Sequence, residues 1–359
     1  MTLQLPRGPV MIDVAGVRLT DEEKRRLSNP LVGAVILFRR NFESVAQLRA
    51  LTGEIRALRS PHLLIAVDHE GGRVQRFLDG FTRLPPMRVL GEMWARSPDQ
   101  ARDTARAVGE VLAAELRASG VDLSFTPVLD LDHGVCAVIG NRSFHRDPQV
   151  VAELAAALIG GLAAGGMIAC GKHFPGHGFV AGDSHHEIPV DHRDYAEIER
   201  DDLVPFARLV RAGLHAVMPA HVVYDHVDPN PAGFSPFWIG TVLRERLGFT
   251  GTLFSDDLCM EGAAGVGDIV ARAEAAFAAG CDMALVCNRP DVVDELFSRF
   301  SAPALPALAA RLDAMAGQGD VDTWRAHLDS EAFRATRQRV AALSMPADAL
   351  AGPAVGEAA

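Results

Sequence analysis

Charged and histidine side chains crowd four short segments of this chain, and their types suit acid–base and nucleophilic chemistry. From Gly171 to Gly182 run four glycines and Pro175, followed at once by Asp183-Ser184-His185-His186. Such a loop can deliver an Asp and a His two residues apart. An Asp beside a His favours the imidazolium and holds one ring nitrogen, leaving the other to donate a proton. A general acid working near neutral pH needs that arrangement. The density of His173, His177, His185 and His186 equally suits a metal site or a solvated turn, although His173 and His177 lack the helical H-E-x-x-H context of a zinc protease. The residues by themselves leave these three readings open.

Asp256 and Asp257 form the second segment. Either can act as a nucleophile, a metal ligand or a helix cap. Neighbours on a strand face opposite sides, so at most one of them points at a common centre, and spacing alone does not choose between them. The third segment, Asp68 to Arg76, places Asp68 and Glu70 beside Arg73 and Arg76 in a glycine-rich turn. Groups this close are expected to pair with one another, and they can also frame sugar hydroxyls with bidentate donors and acceptors. Arg142, in Gly140-Asn141-Arg142-Ser143-Phe144, is the fourth; taken singly it reads as a structural ion pair.

Something must bring these segments together. Short apolar runs recur at Pro9–Val14, Gly33–Phe38, Leu63–Asp68, Leu123–Asp130, Met167–Phe174, Ala216–Val222, Gly251–Asp256 and Met283–Cys287. Most are uniformly apolar until a polar residue near the C-terminal end, the pattern of parallel strands buried on both faces. Helical periodicity lies between them, at Ser44–Leu58, Thr104–Ala118, Val151–Ala164, Tyr195–Ala212, Thr241–Leu247, Ile269–Ala279 and Val292–Phe300. Eight strands alternating with helices predict a single-domain (β/α)8 TIM barrel over residues 1–343, with a doubly wound open sheet as the alternative. A barrel builds its site at the C-terminal strand ends, where Asp68, Lys172, His173, His221 and Asp256 fall. Residues 344–359, rich in Ala, Pro and Gly, are expected to form a poorly ordered tail.

Bulk properties exclude other classes. The 359 residues carry a formal net charge of -11, against the clustered Lys and Arg of a nucleic-acid binder. No basic amphipathic stretch suits a membrane surface, and no apolar run reaches the roughly 18 residues of a membrane-spanning helix. Cys136, Cys170, Cys259, Cys281 and Cys287 are odd in number and form no C-x-x-C pair, so they read as buried hydrophobes in a reducing compartment. The first residues show no secretory pattern, and a cytoplasmic protein is expected.

The runs Asp68-His69-Glu70-Gly71-Gly72-Arg73-Val74-Gln75-Arg76, Lys172-His173-Phe174-Pro175-Gly176-His177-Gly178, Asp183-Ser184-His185 and Phe254-Ser255-Asp256-Asp257-Leu258 resemble, in order, the bacterial β-N-acetylglucosaminidases of glycoside hydrolase family 3. The likeness extends from about Val10 to Asn288, and only His69, where Gln is common, departs from the motifs. The resemblance implies a retaining exo-enzyme that removes terminal N-acetylglucosamine from peptidoglycan fragments, the 1,6-anhydro-muropeptides, in the cytoplasm. It selects Asp256 as nucleophile and implies an acid/base His185 with Asp183 as its dyad partner. Asp68, Arg76, Arg142, Lys172 and His173 would bind the sugar. No metal or other cofactor is expected, the partner is a small carbohydrate substrate, and the chain is expected to be a monomer. A β-glucosidase of the same family usually carries a second domain with a carboxylate acid and lacks the D-S-H loop. A β-N-acetylglucosaminide phosphorylase is the harder alternative, because a histidine acid does not repel phosphate. A metal-dependent TIM-barrel hydrolase using the histidine cluster, or a catalytically inert sugar-binding module, are the readings from other classes.

Overall fold

The computed structural model describes residues 3–182 and 188–343. Its centre is a parallel sheet of eight strands: β1 (Val10–Asp13), β2 (Val32–Leu37), β3 (Leu64–Val67), β4 (Leu123–Ser124), β5 (Cys170–Phe174), β6 (Ala216–Pro219), β7 (Thr252–Asp257) and β8 (Met283–Val286). Every predicted strand is present. The order is β4-β3-β2-β1-β8-β7-β6-β5, so the two ends of the row are β4 and β5. They meet as well: Leu123 bridges Ile168, Val128 bridges Lys172, and Leu129 N–H donates to the Lys172 carbonyl at 2.6 Å. The sheet is thus a nearly closed barrel, and the open-sheet alternative falls. The fourth strand is shorter than Leu123–Asp130 because Pro127 has no N–H to give the ladder.

Two cores explain the loss of alternation. Met11, Ala34, Ile36, Leu64, Ala66, Leu123, Phe125, Cys170, Ala216, Met218, Phe254, Met283 and Leu285 fill the barrel. The residues between them, among them Val10, Ile12, Val35, Ile65, Val67, Val217, Leu253, Ala284 and Val286, join the layer under the helices. Both faces of each strand are therefore apolar.

Helices cover the outside, including Val45–Ala57, Pro98–Ala118, Pro148–Ala164 and Ile269–Ala279. The predicted helix 195–212 is two, Tyr195–Arg200 and Leu203–Arg211, because Asp202 between them turns its carboxylate inward to a buried arginine. The stretch from Phe237 to Arg246 is a wide-turned π-helix, longer than the predicted 241–247. Five α-helices among the described residues were not predicted: Asp21–Leu27, Arg88–Trp94, Leu308–Met315, Val321–Leu328 and Glu331–Ala341. Of these, Leu308–Met315 plugs the N-terminal end of the barrel with Leu308, Leu312 and Met315. No helix among the described residues is long and apolar enough to cross a membrane. Residues 344–359, the expected tail, lie outside the described residues.

Candidate active site

Strand periodicity carries the barrel's interior row up to its C-terminal mouth. Asp68 continues Leu64 and Ala66, Lys172 continues Cys170, and Asp256 continues Phe254. The charge of Asp256 acts on buried Cys170, His177 and His221, in keeping with a place among the residues of the mouth. Asp257 is turned elsewhere. Its Oδ1 accepts the amides of Cys259 and Cys287 at 3.0 and 3.1 Å, lacing β7 to the end of β8, and its own N–H donates to Asp256 Oδ1 at 2.8 Å. Burial pushes the Asp257 carboxyl up to about 7 against those two amides. The geometry so distinguishes two carboxylates that the sequence left equivalent.

Beside them lies a ladder of alternating charge. Lys172 Nζ sits 2.6 Å from Asp68 Oδ1 and 2.7 Å from Glu70 Oε1. Glu70 also receives Arg142 through a two-pronged pair, Nε and Nη2 each at 2.8 Å, while Arg142 Nη1 donates to the Val138 carbonyl at 3.2 Å. Burial alone would lift the Glu70 carboxyl, but Arg142 and Lys172 outweigh it and hold it well below the usual range. Lys172 is likewise pulled down by burial and raised further by Asp68 and Glu70. Within the Asp68–Arg76 turn, the hydrogen bonds of Arg73 leave the turn. Arg73 donates to the Ala137 and Val138 carbonyls and to Asn141 Oδ1, which binds this turn to the loop after β4. Its reach across the mouth satisfies several carbonyls that a partner in its own turn would leave bare. Arg76 is buried in the same turn, and its charge, after burial itself, pulls His69 down to about 3.

At the end of the fourth strand segment, Asp130 is fully buried and organises two histidines. Its Oδ2 lies 2.7 Å from His173 Nδ1, and its Oδ1 accepts the amides of His173 and His177 at 3.2 and 2.7 Å. This fixes His173 by Nδ1 and leaves Nε2 as the ring atom directed away from Asp130. His177, drawn down to about 4 by burial and then by His173, is neutral. His221 is fully buried, its Nε2 donates to the Asp257 carbonyl at 3.2 Å, and its ring stacks on Phe234 at 5.1 Å. It braces the end of β7 within reach of the Asp256 charge.

Asp68, Arg142, Lys172 and His173 are thus gathered with Asp256 at one mouth. Asp183 and His185 lie outside the described residues. The sequence reading weighed Glu70 only as part of its own turn and overlooked Asp130 as a site-forming residue; the signal available for Asp130 was a charged residue at the end of an apolar run. No group of three or more His, Cys, Asp or Glu among the described residues is arranged to hold a metal ion.

A barrel mouth lined with paired carboxylates, a lysine and a carboxylate-held histidine suits recognition of a hydroxyl-rich ligand. The model of the glycosyl hydrolase family 3 N-terminal domain matches residues 5–316. The chain belongs to this family. It is a glycoside hydrolase with a TIM barrel. A beta-hexosaminidase of Chromobacterium violaceum is 64% identical over 99% of this chain and 100% of its own length. One from Neisseria meningitidis serogroup A is 59% identical over 99% and 98%. Among solved structures, NagZ of Neisseria gonorrhoeae in complex with N-trifluoroacetyl-D-glucosamine superposes with a TM-score of 0.92 at 56% identity, covering 96% of this chain and all of that one. A family 3 β-N-acetylglucosaminidase from Paenibacillus matches with a TM-score of 0.75 at 31% identity, over 98% of this chain and 63% of its own.

Proposed function

We propose that this chain is a retaining exo-β-N-acetylglucosaminidase that releases terminal N-acetylglucosamine from peptidoglycan fragments, the 1,6-anhydro-muropeptides, in the cytoplasm, with residues 1–343 as one catalytic domain. The single observation that carries this reading is Asp256 among the residues of the mouth, oriented by the Asp257 amide, beside the Asp68–Lys172–Glu70–Arg142 ladder. The beta-hexosaminidases among its relatives support the sugar, and the N-trifluoroacetyl-D-glucosamine bound to gonococcal NagZ supports the acylated amino group.

In this reading Asp256 attacks the anomeric carbon from one face. The bond to the aglycone oxygen breaks as His185, held and charged by Asp183, gives that oxygen its proton. Water then attacks the glycosyl-enzyme, His185 takes the water's proton, and Asp256 leaves as carboxylate with net retention. Asp68 accepts from sugar hydroxyls; Lys172, Arg76, Arg142 and His173 donate to them. The Lys172 ammonium keeps a third N–H after serving Asp68 and Glu70, and that donor is available to the sugar.

The test is turnover of an aryl β-N-acetylglucosaminide against the matching aryl β-glucoside, with EDTA and with phosphate as separate additions. Release from the N-acetyl substrate alone, unaffected by EDTA, is expected. Formation of a sugar 1-phosphate would replace hydrolysis by phosphorolysis, and loss of activity with EDTA would return the histidine cluster to a metal.

A further inference from the structure

Large apolar side chains exposed singly need no explanation, but a cluster of them at a site does. Among the described residues Leu3, Val135, Phe179, Ile188 and Val190 are exposed in this way. All but Leu3 lie in the connections that follow the fourth and fifth strand segments, Phe179 two residues beyond His177, whose ring is 5.9 Å from that of His173. Ile188 also reaches the loop after β7, its Cδ1 lying 3.2 Å from where a Cβ on Gly265 would stand.

Phe179 is held in an unusual way for a ring that is 42% exposed. The Arg193 guanidinium lies 4.1 Å from its centroid, and His133 meets it at 5.3 Å with an 82° tilt. Arg193 is itself buried between Asp191, 2.7 Å from Nη2, and Asp202, 2.6 Å from Nη1. Asp202 also takes His133 Nε2 at 3.2 Å, so one carboxylate ties both neighbours of the ring. Buried ion clusters of this sort add little net stability, because desolvation offsets attraction; what they fix is geometry. The ring's place relative to the site is fixed too. Asp130 holds His173 and His177, and Gly178 packs so tightly on the Leu131 carbonyl that a Cβ would come within 1.8 Å of that oxygen. His133 then abuts Phe179. The two loops are zipped step by step outward from His173, and Phe179 stands at the outer end with Arg193 over one face, His133 against the ring, and the remainder exposed.

We propose that Phe179 is a specificity-determining residue: a rigid platform on which the aglycone sugar, the ring attached through the scissile oxygen, lays its apolar C–H face. The inference rests on the glycosidase reading above and names the residue that holds the group following the N-acetylglucosamine. A pyranose ring presents C–H groups on one face and hydroxyls at its rim, and an exposed aromatic face suits the former without demanding a particular linkage partner. The aglycone class selected is therefore a saccharide.

The experiment compares two substrates of the same N-acetylglucosamine. N,N′-diacetylchitobiose places a sugar ring over the platform; N-acetyl-β-D-glucosaminyl fluoride leaves it empty. Phe179→Ala is expected to lower kcat/KM on chitobiose about tenfold more than on the fluoride, the scale of one lost aromatic contact. Phe179→Trp, which restores a flat face, is expected to recover most of the loss, and Phe179→Leu, apolar without that face, little of it. Equal losses on both substrates would make Phe179 a support of its loop and overturn the proposal, as would no change on either. If the wild-type protein turns over neither substrate, the glycosidase reading itself fails, and the platform with it.

Discussion

Glu70 takes its hydrogen-bonded ion pairs from far along the chain: Lys172 and Arg142 stand 102 and 72 residues away. That one carboxylate orients two cations toward the mouth, so it shapes the sugar site without needing to touch the sugar. Glu70→Gln keeps the outline and removes the charge. Breaking a buried pair from one side costs about 3–5 kcal/mol, because the remaining charges lose their counter-ion. The expected outcome is a lower urea midpoint and a KM for aryl β-N-acetylglucosaminide raised at least about tenfold, measured by steady-state kinetics and denaturation. Because Lys172 and Arg142 hold the Glu70 pKa below its ordinary value of 4.5, the stability it contributes is present above that value and is lost as pH falls toward its folded pKa. In the Gln variant that part of the acid-side decline disappears. The residue types needed for this ladder were visible in the sequence. Its pairing was not, since proximity along the chain favours Arg73 and Arg76 as partners, and only closure of the barrel brings Lys172 across.

At the scale of the strand, the end of β7 shows how an element can assign roles to adjacent carboxylates. Period-two alternation sends Asp256 inward and leaves Asp257 to lace β7 to β8. Burial raises the Asp257 carboxyl from 3.8 to about 7. A folded-state pKa raised in this way stabilises the fold fully below about 4, and the contribution is lost as pH rises toward 7. Asp257→Asn retains an amide-accepting oxygen and cannot ionise. Its melting temperature, followed from pH 4 to 8, is therefore expected to lose the wild type's decline across that window; parallel curves would remove Asp257 as the cause. Strand positions were read within a few residues because both faces of each strand are apolar and each run stops at a polar residue. Helix boundaries were read less well where tertiary contacts decide them. Asp202 interrupts what periodicity alone makes one helix, because its carboxylate is drawn in by Arg193 and His133.

For the whole molecule, alternation of apolar runs and amphipathic stretches sufficed for a (β/α)8 barrel, and the order of polar strand ends sufficed for its mouth. What escaped were the short helices Asp21–Leu27 and Arg88–Trp94 and the chain beyond residue 300. Leu308, Leu312 and Met315 form a plug whose partners are the buried feet of strands, so its apolar face has no local signature beyond a short helix. The carboxylates at that lower end, Asp122 and Asp282, accept the strand amides of Ile65 and Leu253 and bind arginines, a structural use of groups that at the mouth serve a site. Composition does not separate the two; only the end of the barrel does. The central claim is that this barrel forms a covalent glycosyl intermediate on Asp256. The most direct measurement is to trap that intermediate with a 5-fluoro N-acetylglucosaminyl fluoride, digest the protein and locate the added mass. The account predicts one sugar on the peptide containing Ser255-Asp256-Asp257, with fragmentation assigning it to Asp256 and no label in Asp256→Ala. A label on Asp257 or elsewhere, or turnover of the reagent by the Asp256→Ala protein, would contradict it.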